Sequence, residues 1–323
     1  MARGERGARD ERGARDERGI MTPRRRRPPA IEITRASLRR MPLPALDADA
    51  DKDSRGRVIV IGGSDTMPGA ILLAGVASLR AGAGKLQIAT VAAVTPALGV
   101  AVPEARVIGL PSTRDGNISG ARALPALRSG LKNANAVLLG PGMDGDRAAE
   151  TLAPLVARHA GDDATLILDA VAIFALRRNE NMLNALAGRA VITPHAGEMA
   201  TLVGAAKSDV EANAPELELE AAQRFGTIVA LKGPESWIAA PDGSLFRYDS
   251  GSVGLATSGS GDTLAGIIAG LAARCGDPVV ATCWAVWAHG TAGSQLARRV
   301  APVGFLAREL LAEVPALVGR AQA

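Results

Sequence analysis

From Arg57 onward the chain alternates two kinds of apolar pattern. Short, largely apolar runs occupy Val58 to Ile61, Leu86 to Val91, Ala105 to Leu110, Ala136 to Leu139, Thr165 to Leu168, Ala190 to Ile192 and Thr227 to Leu231. Runs of this length read as strands buried on both faces. Helical stretches lie between most of them, the first over Ala70 to Ala81, built of small and aliphatic residues. The alternation predicts βα units, hence an α/β fold with a mostly parallel sheet and helices on both faces. Ser236 to Ala240 and Ser244 to Tyr248 flank Pro241-Asp242-Gly243, a hairpin signal. Three helices, near 261–274, 278–298 and 303–319, are expected to close the chain. No low-complexity linker interrupts residues 50–323, so a single domain over 31–323 is expected.

The N-terminus differs. Residues 6–17 repeat RGARDE, and no apolar face emerges, so residues 1–30 are expected to be a disordered Arg-rich tail with Met21 as a second possible start. Charge separates the same way. Residues 1–40 hold thirteen Arg against six Asp plus Glu, a net of +7; the whole chain is +4, which leaves 4 − 7 = −3 for the remainder. A mildly acidic folded part with 2% aromatic residues argues against nucleic acid as a partner, the Arg24 to Arg27 run being read as a solvated tail. No apolar run reaches the roughly 18 residues of a membrane span, and two cysteines, Cys275 and Cys283, make no disulfide framework. A soluble, cytoplasmic protein without membrane contact is the expectation.

Candidate chemistry concentrates in Thr257-Ser258-Gly259-Ser260-Gly261-Asp262-Thr263, followed by an apolar helix. Glycines let the backbone turn its N–H groups toward one point, and the helix start adds positive potential, a pattern suited to an anion such as a transferring phosphoryl group. Asp262 in the first turn is a candidate base, expected to stay ionised because the helix end favours the anion. An ordinary N-terminal Asp after a Gly-rich loop fits these residues equally well. Gly140-Pro141-Gly142-Met143-Asp144-Gly145 formally matches a dinucleotide fingerprint, with Asp163 or Asp169 as ribose ligand, and marks a ligand-binding strand end. His195, in Thr193-Pro194-His195-Ala196-Gly197-Glu198, follows a buried strand. Lys232-Gly233 ends another. No P-loop, no serine elbow and no zinc spacing among His159, His195 and His289 is present.

Taken in order, the segments RGRVIVIGGS (55–64), PGAILLAGVASLRAGAG (68–84), NANAVLLGPGM (133–143), VITPHAGEM (191–199), VALKG (229–233) and LATSGSGDTLAGIIAG (255–270) closely resemble the ADP-dependent NAD(P)H-hydrate dehydratases. The GSGD element is common to ribokinase-like proteins; the GGS…PGA opening with TPH-x-GE is more specific. The resemblance covers about residues 35–320. It implies a ribokinase-like three-layer α/β/α sandwich and repair of nicotinamide cofactors hydrated at C6, the S-epimer being returned to NADH or NADPH with release of AMP and phosphate. It implies ADP as co-substrate with Mg²⁺, no protein-bound metal site, Asp262 as base, and Gly259 and Gly261 as backbone donors to the transferring charge. The family's hydrate-binding positions fall on Ala70, Gly142, His195 and Asp262. Its nucleotide positions fall on Lys232, Gly233, Pro234, Glu235, Ser236 and Gly261. It also implies a homo-oligomer, taken as a tetramer, and a separately encoded NAD(P)HX epimerase as functional partner, since fewer residues precede the domain than that enzyme needs.

Three positions depart from the family pattern. Met67 stands where an aromatic residue is common. Asp169-Ala170-Val171-Ala172 lacks the second carboxylate of Asp-Ala-Asp-Ala. Ser236 replaces Thr and keeps the hydroxyl. The alternative reading is a ribokinase-like kinase for a vitamin precursor of the hydroxyethylthiazole or hydroxymethylpyrimidine type, which needs GSGD but not the other pair of motifs.

Overall fold

The computed structural model describes residues 29–45, 49 and 51–322. The Arg-rich repeat, Met21 and the Arg24 to Arg27 run lie outside them. Ten strands form one sheet: β1 (Ile31–Glu32), β2 (Arg57–Ile61), β3 (Lys85–Val91), β4 (Ala105–Leu110), β5 (Ala136–Leu139), β6 (Thr165–Leu168), β7 (Ala190–Ile192), β8 (Ile228–Leu231), β9 (Ser236–Ala239) and β10 (Leu245–Tyr248). Among the described residues twelve α-helices surround it: α1 (Arg35–Leu38), α2 (Pro68–Arg80), α3 (Thr95–Ala101), α4 (Leu124–Asn133), α5 (Asp146–His159), α6 (Ala175–Arg178), α7 (Ala196–Val203), α8 (Lys207–Ala212), α9 (Ala214–Phe225), α10 (Ser260–Cys275), α11 (Pro278–Arg299) and α12 (Ala307–Gln322).

The seven apolar runs all become strands. Six residues or fewer suffice for most of them because both faces are covered, and alternate side chains enter opposite cores. Val58 and Val60 face the layer of α2, α10, α11 and α12, whereas Ile59 and Ile61 face that of α4, α5 and α9. The three-layer α/β/α sandwich is as expected. The strand order is β1-β10-β9-β8-β7-β6-β5-β2-β3-β4, and only β9 runs antiparallel to its neighbours. The predicted hairpin is β9–β10. Its turn is closed by Gly243 N–H on Ala240 O (3.0 Å) and by Ser244 N–H on the Asp242 carboxylate (2.8 Å). Strand β1 has no apolar pattern of its own; it exists because Ile31 and Glu32 pair with Phe246 and Arg247.

Because β2, β3 and β4 proceed one way and β5 returns to the other side of β2, the chain reverses direction between β2 and β5. Open α/β sheets bind ligands at such a reversal, outside the carboxyl ends of the strands. Here the loops after β2 and β5 cross: Gly63 N–H donates to Pro141 O at 2.7 Å. A Cβ at Gly142 would lie 2.9 Å from the Ala70 side chain, so the loop rests on the first turn of α2. Helices α2 and α10 lie side by side in the same direction, Gly266 and Gly270 of α10 meeting the carbonyls of Ala74 and Ser78.

Candidate active site

Three consecutive strands deliver polar groups to their carboxyl ends. After β6, Asp169 is 2% exposed. After β7, Thr193 donates its hydroxyl to Asp169 Oδ1 at 2.6 Å. After β8, Lys232 Nζ lies 2.9 Å from the same Oδ1 and 3.8 Å from Glu198 Oε2. The backbone joins the last two loops, Lys232 N–H donating to Pro194 O at 2.8 Å. Just before it, Leu231 N–H is held by Glu218 Oε1 at 2.9 Å, and full burial pushes the Glu218 carboxyl well above the usual range. Glu218 thus anchors the strand end that carries Lys232.

The N-terminus of α10 faces this lysine. Gly259 takes φ +86°, a left-handed conformation that glycine adopts without strain, and the helix starts at the next residue. A Cβ at Gly261 would sit 3.2 Å from Lys232 Nζ, a tight contact that the ammonium would have to relieve by a few tenths of an ångström, so glycine leaves it room to approach. An ammonium beside a helix N-terminus is unfavourable alone. Here burial pulls the Lys232 pKa down, but the charges of Asp169, Glu198 and Asp262 outweigh burial and raise it, keeping the lysine cationic.

Asp262 is half-buried in the first turn of α10. Burial, reinforced by the neighbouring Asp169 charge, raises its pKa to about 6, with Lys232 opposing. The carboxyl is thus ionised at neutral pH, as expected, but desolvation and the Asp169 charge outweigh the helix end and narrow the margin. At pH 7 it is still about ten to one ionised. A carboxylate with a pKa in this range is suited to take up a proton near neutral pH.

His195 caps α7. Its Nδ1 accepts from Gly197 N–H (3.0 Å) and Glu198 N–H (3.2 Å), while Glu198 Oε2 accepts from His195 N–H (2.8 Å). Two donors on Nδ1 require the neutral ring's proton on Nε2, leaving that N–H on a side chain 60% exposed. His289, by contrast, is buried; burial lowers its pKa to about 4, and its Nε2 contacts Ser260 Oγ (3.0 Å) and Ser260 O (3.1 Å).

A cavity of about 570 Å³ opens beside this cluster, lined by His195, Lys232, Gly233, Pro234, Ser236, Ser260 and Gly261 and walled by Tyr248, Leu255, Leu264, Val286 and His289. It collects five of the six residues expected to bind nucleotide. The sixth, Glu235, is not in its lining and directs its carboxylate to Arg247 (2.7 Å). Asp262 adjoins the cavity through Gly261. Ala70 and Gly142 touch each other two strands away, at the β2–β5 reversal, and are not in this lining. The ribose-ligand readings fail: Asp169 is held by Thr193 and Lys232, and Asp163 is an exposed residue before β6, at the opposite edge of the sheet. Sequence reasoning passed over Thr193, Glu198 and Glu218, whose roles depend on partners far along the chain. Asp169 had a visible signal, an acid directly after an apolar strand. Among the described residues no group of three or more His, Cys, Asp or Glu forms a metal cluster, and no helix is long and apolar enough to cross a membrane.

Comparison with known proteins bears on this arrangement. A family profile described as NAD(P)H-hydrate dehydratase matches residues 58–316. An ADP-dependent (S)-NAD(P)H-hydrate dehydratase of Xanthomonas campestris pv. campestris is 49% identical over 292 residues, covering 89% of this chain and 96% of that protein. Among solved structures, a ribokinase-like superfamily protein from Enterococcus faecalis superposes with a TM-score of 0.78 at 26% identity, over 90% of this chain and 96% of the other. The ADP/ATP-dependent NAD(P)H-hydrate dehydratase of Bacillus subtilis, co-crystallised with ATP/Mg²⁺, gives 0.72 at 29% identity, over 90% and 99%. The mostly parallel sheet and the helices on both its faces are thus those of a ribokinase-like fold.

Proposed function

The chain belongs to the NAD(P)H-hydrate dehydratase family, and from that premise we propose that it returns the S-epimer of C6-hydrated NADH or NADPH to the reduced cofactor at the expense of ADP. One observation carries the reading. The nucleotide-sized cavity ends at Gly261, so a nucleotide lying in it brings its terminal phosphate to the α10 N-terminus, beside the Asp262 carboxylate.

The chemistry follows from these groups. Asp262 accepts the proton of the C6 hydroxyl while that oxygen attacks the β-phosphorus of ADP; the bond from phosphorus to AMP breaks. Backbone N–H groups of the Gly259 to Asp262 turn stabilise the charge on the transferring oxygens, and Lys232 adds a cation that its neighbours keep protonated. Phosphate, a better leaving group than hydroxide, then departs from C6 as the ring nitrogen donates its lone pair, and loss of a C5 proton restores the dihydropyridine. His195, whose exposed Nε2 lies 3.7 Å from Glu198 Oε1, and the Ala70–Gly142 contact hold the hydrate. The donor set suits Mg²⁺ only as the nucleotide's companion: among the described residues of this cluster Asp169 and Glu198 face Lys232, whereas Asp262 forms no salt bridge, and magnesium is commonly held by one or two carboxylates plus phosphate oxygens. Bound there, it would neutralise phosphate charge.

We further read residues 31–323 as one catalytic domain, working in the cytoplasm as a homotetramer, with an epimerase supplying the S-epimer. The deciding experiment couples phosphate release to absorbance. Purified protein should free phosphate from ADP only when hydrated NADH is present, with the reduced-nicotinamide band returning in equal amount. Phosphorylation of a hydroxyethylthiazole or hydroxymethylpyrimidine alcohol, without that band, would establish the kinase alternative instead.

A further inference from the structure

A second cavity, of about 550 Å³, lies beyond the Gly140–Gly142 loop, between the turn after β4 and the start of α5. Asp144 and Gly145 line it, two and three residues past Gly142. The turn across from them is tied to the loop after β2, Asp65 N–H donating to Gly116 O at 3.1 Å. Along the sheet's carboxyl edge the order is therefore the first cavity at β8 to β10, the Lys232–Asp169 cluster, the Ala70–Gly142 contact at the β2–β5 reversal, and this second cavity reaching to β4. From β5 to β4 is three strand spacings, about 14 Å.

Its lining has unused binding capacity. Arg122 and Arg147 are both exposed there, and among the described residues neither forms a salt bridge. Asn117 carries a buried Oδ1 with no hydrogen-bond partner. Asp115 and Asp144 line the same space, so the surface combines cationic groups for phosphate with acceptors for hydroxyl or amino groups. A dinucleotide hydrate whose nicotinamide sits at Gly142 must place its other half somewhere within that reach. We propose that the second cavity binds the distal, phosphate-bearing half of the dinucleotide, with Arg122 and Arg147 on its phosphates. This subsite rests on the dehydratase reading and adds to it a separate determinant of substrate affinity.

Two hydrates separate the claims: hydrated NADH, and hydrated reduced nicotinamide mononucleotide, which lacks the distal half. The wild type is expected to turn over both, with a KM for the mononucleotide about tenfold or more higher. The double variant Arg122→Gln/Arg147→Gln should raise the KM for hydrated NADH by about tenfold, toward the mononucleotide value, with kcat and the KM for ADP within twofold of wild type. Ala121→Trp, a bulky substitution at an exposed lining residue, should act in the same direction through sterics. Equal KM values for the two hydrates in the wild type, or an unchanged KM for hydrated NADH in the double variant, would overturn the subsite. Failure of the wild type to turn over either hydrate would overturn the dehydratase reading first, and the subsite with it.

Discussion

Asp262 shows how one carboxyl can serve reactivity at the expense of stability. Its pKa of about 6 lies above the unfolded value near 3.9. The folded state therefore binds this proton more tightly than the unfolded one, and stability falls as pH rises from about 4 to about 6. Asp262→Asn should accordingly raise unfolding stability at pH 7.5 by about 1–2 kcal/mol, read from denaturant midpoints, while turnover drops by a factor on the order of 10²–10⁴. The acidic limb of the kcat/KM profile, with an apparent pKa near 6 in the wild type, should vanish in the variant's residual rate. His195 separates cap from ligand in a similar way. His195→Ala should cost about 1 kcal/mol through the lost α7 cap and raise the hydrate KM. Asn, a good cap, should restore the stability but not the KM. Much of this was legible: an acid one residue after Gly261 and a histidine after a buried strand both stand out in the chain. The direction of the Asp262 shift was not, because it depends on Asp169, 93 positions away in sequence (262 − 169), and on burial by elements that sequence does not place.

At the scale of elements, the contact between α2 and α10 decides where the active turn sits. A Cβ on Gly266 would come within 2.2 Å of the Ala74 carbonyl oxygen, and on Gly270 within 2.3 Å of that of Ser78. Backbone cannot yield as a side-chain tip can, so Gly266→Ala should force the helices apart, costing about 3 kcal/mol and displacing Asp262 from Ala70. Both should appear together, as a lower melting temperature and a reduced kcat, whereas Gly69→Ala, with nothing within 4 Å, should leave the melting temperature within a degree or two. The strands were readable because continuous apolar runs of this length have few alternatives. The short β1 was not, since its order comes entirely from β10. Nor was the left-handed Ala170, φ +50°, which follows Asp169 and whose conformation is imposed by the packed β6 end. The three final helices start and stop within a few residues of expectation. The exception, α12 beginning at Ala307 instead of 303, follows from Gly304 at φ +99°, which no helix accommodates.

For the whole molecule, the dense apolar core fixes the sheet, while the ligand-bearing edge consists almost wholly of loops. Nucleotide binding should therefore stabilise globally by linkage: ADP at 100 times its dissociation constant should contribute about 2.7 kcal/mol, visible as a rise of several degrees in the melting temperature. Lys232→Met should abolish that rise and lower the baseline, because it leaves the buried Asp169 without its cation. The charge division was legible from counting alone, as was the layered architecture. The sideways sequence of cavities along the edge was not, for it follows from β5 crossing back over β2, a matter of topology that periodicity does not encode.

That sideways sequence has a consequence for traffic. With the proposed subsite for the distal half of the hydrate on the far side of Asp262 from the first cavity, each reactant would have its own doorway, and initial-rate kinetics should show ADP and hydrate binding in either order. Such a layout would spare the enzyme the queue that a single deep funnel imposes.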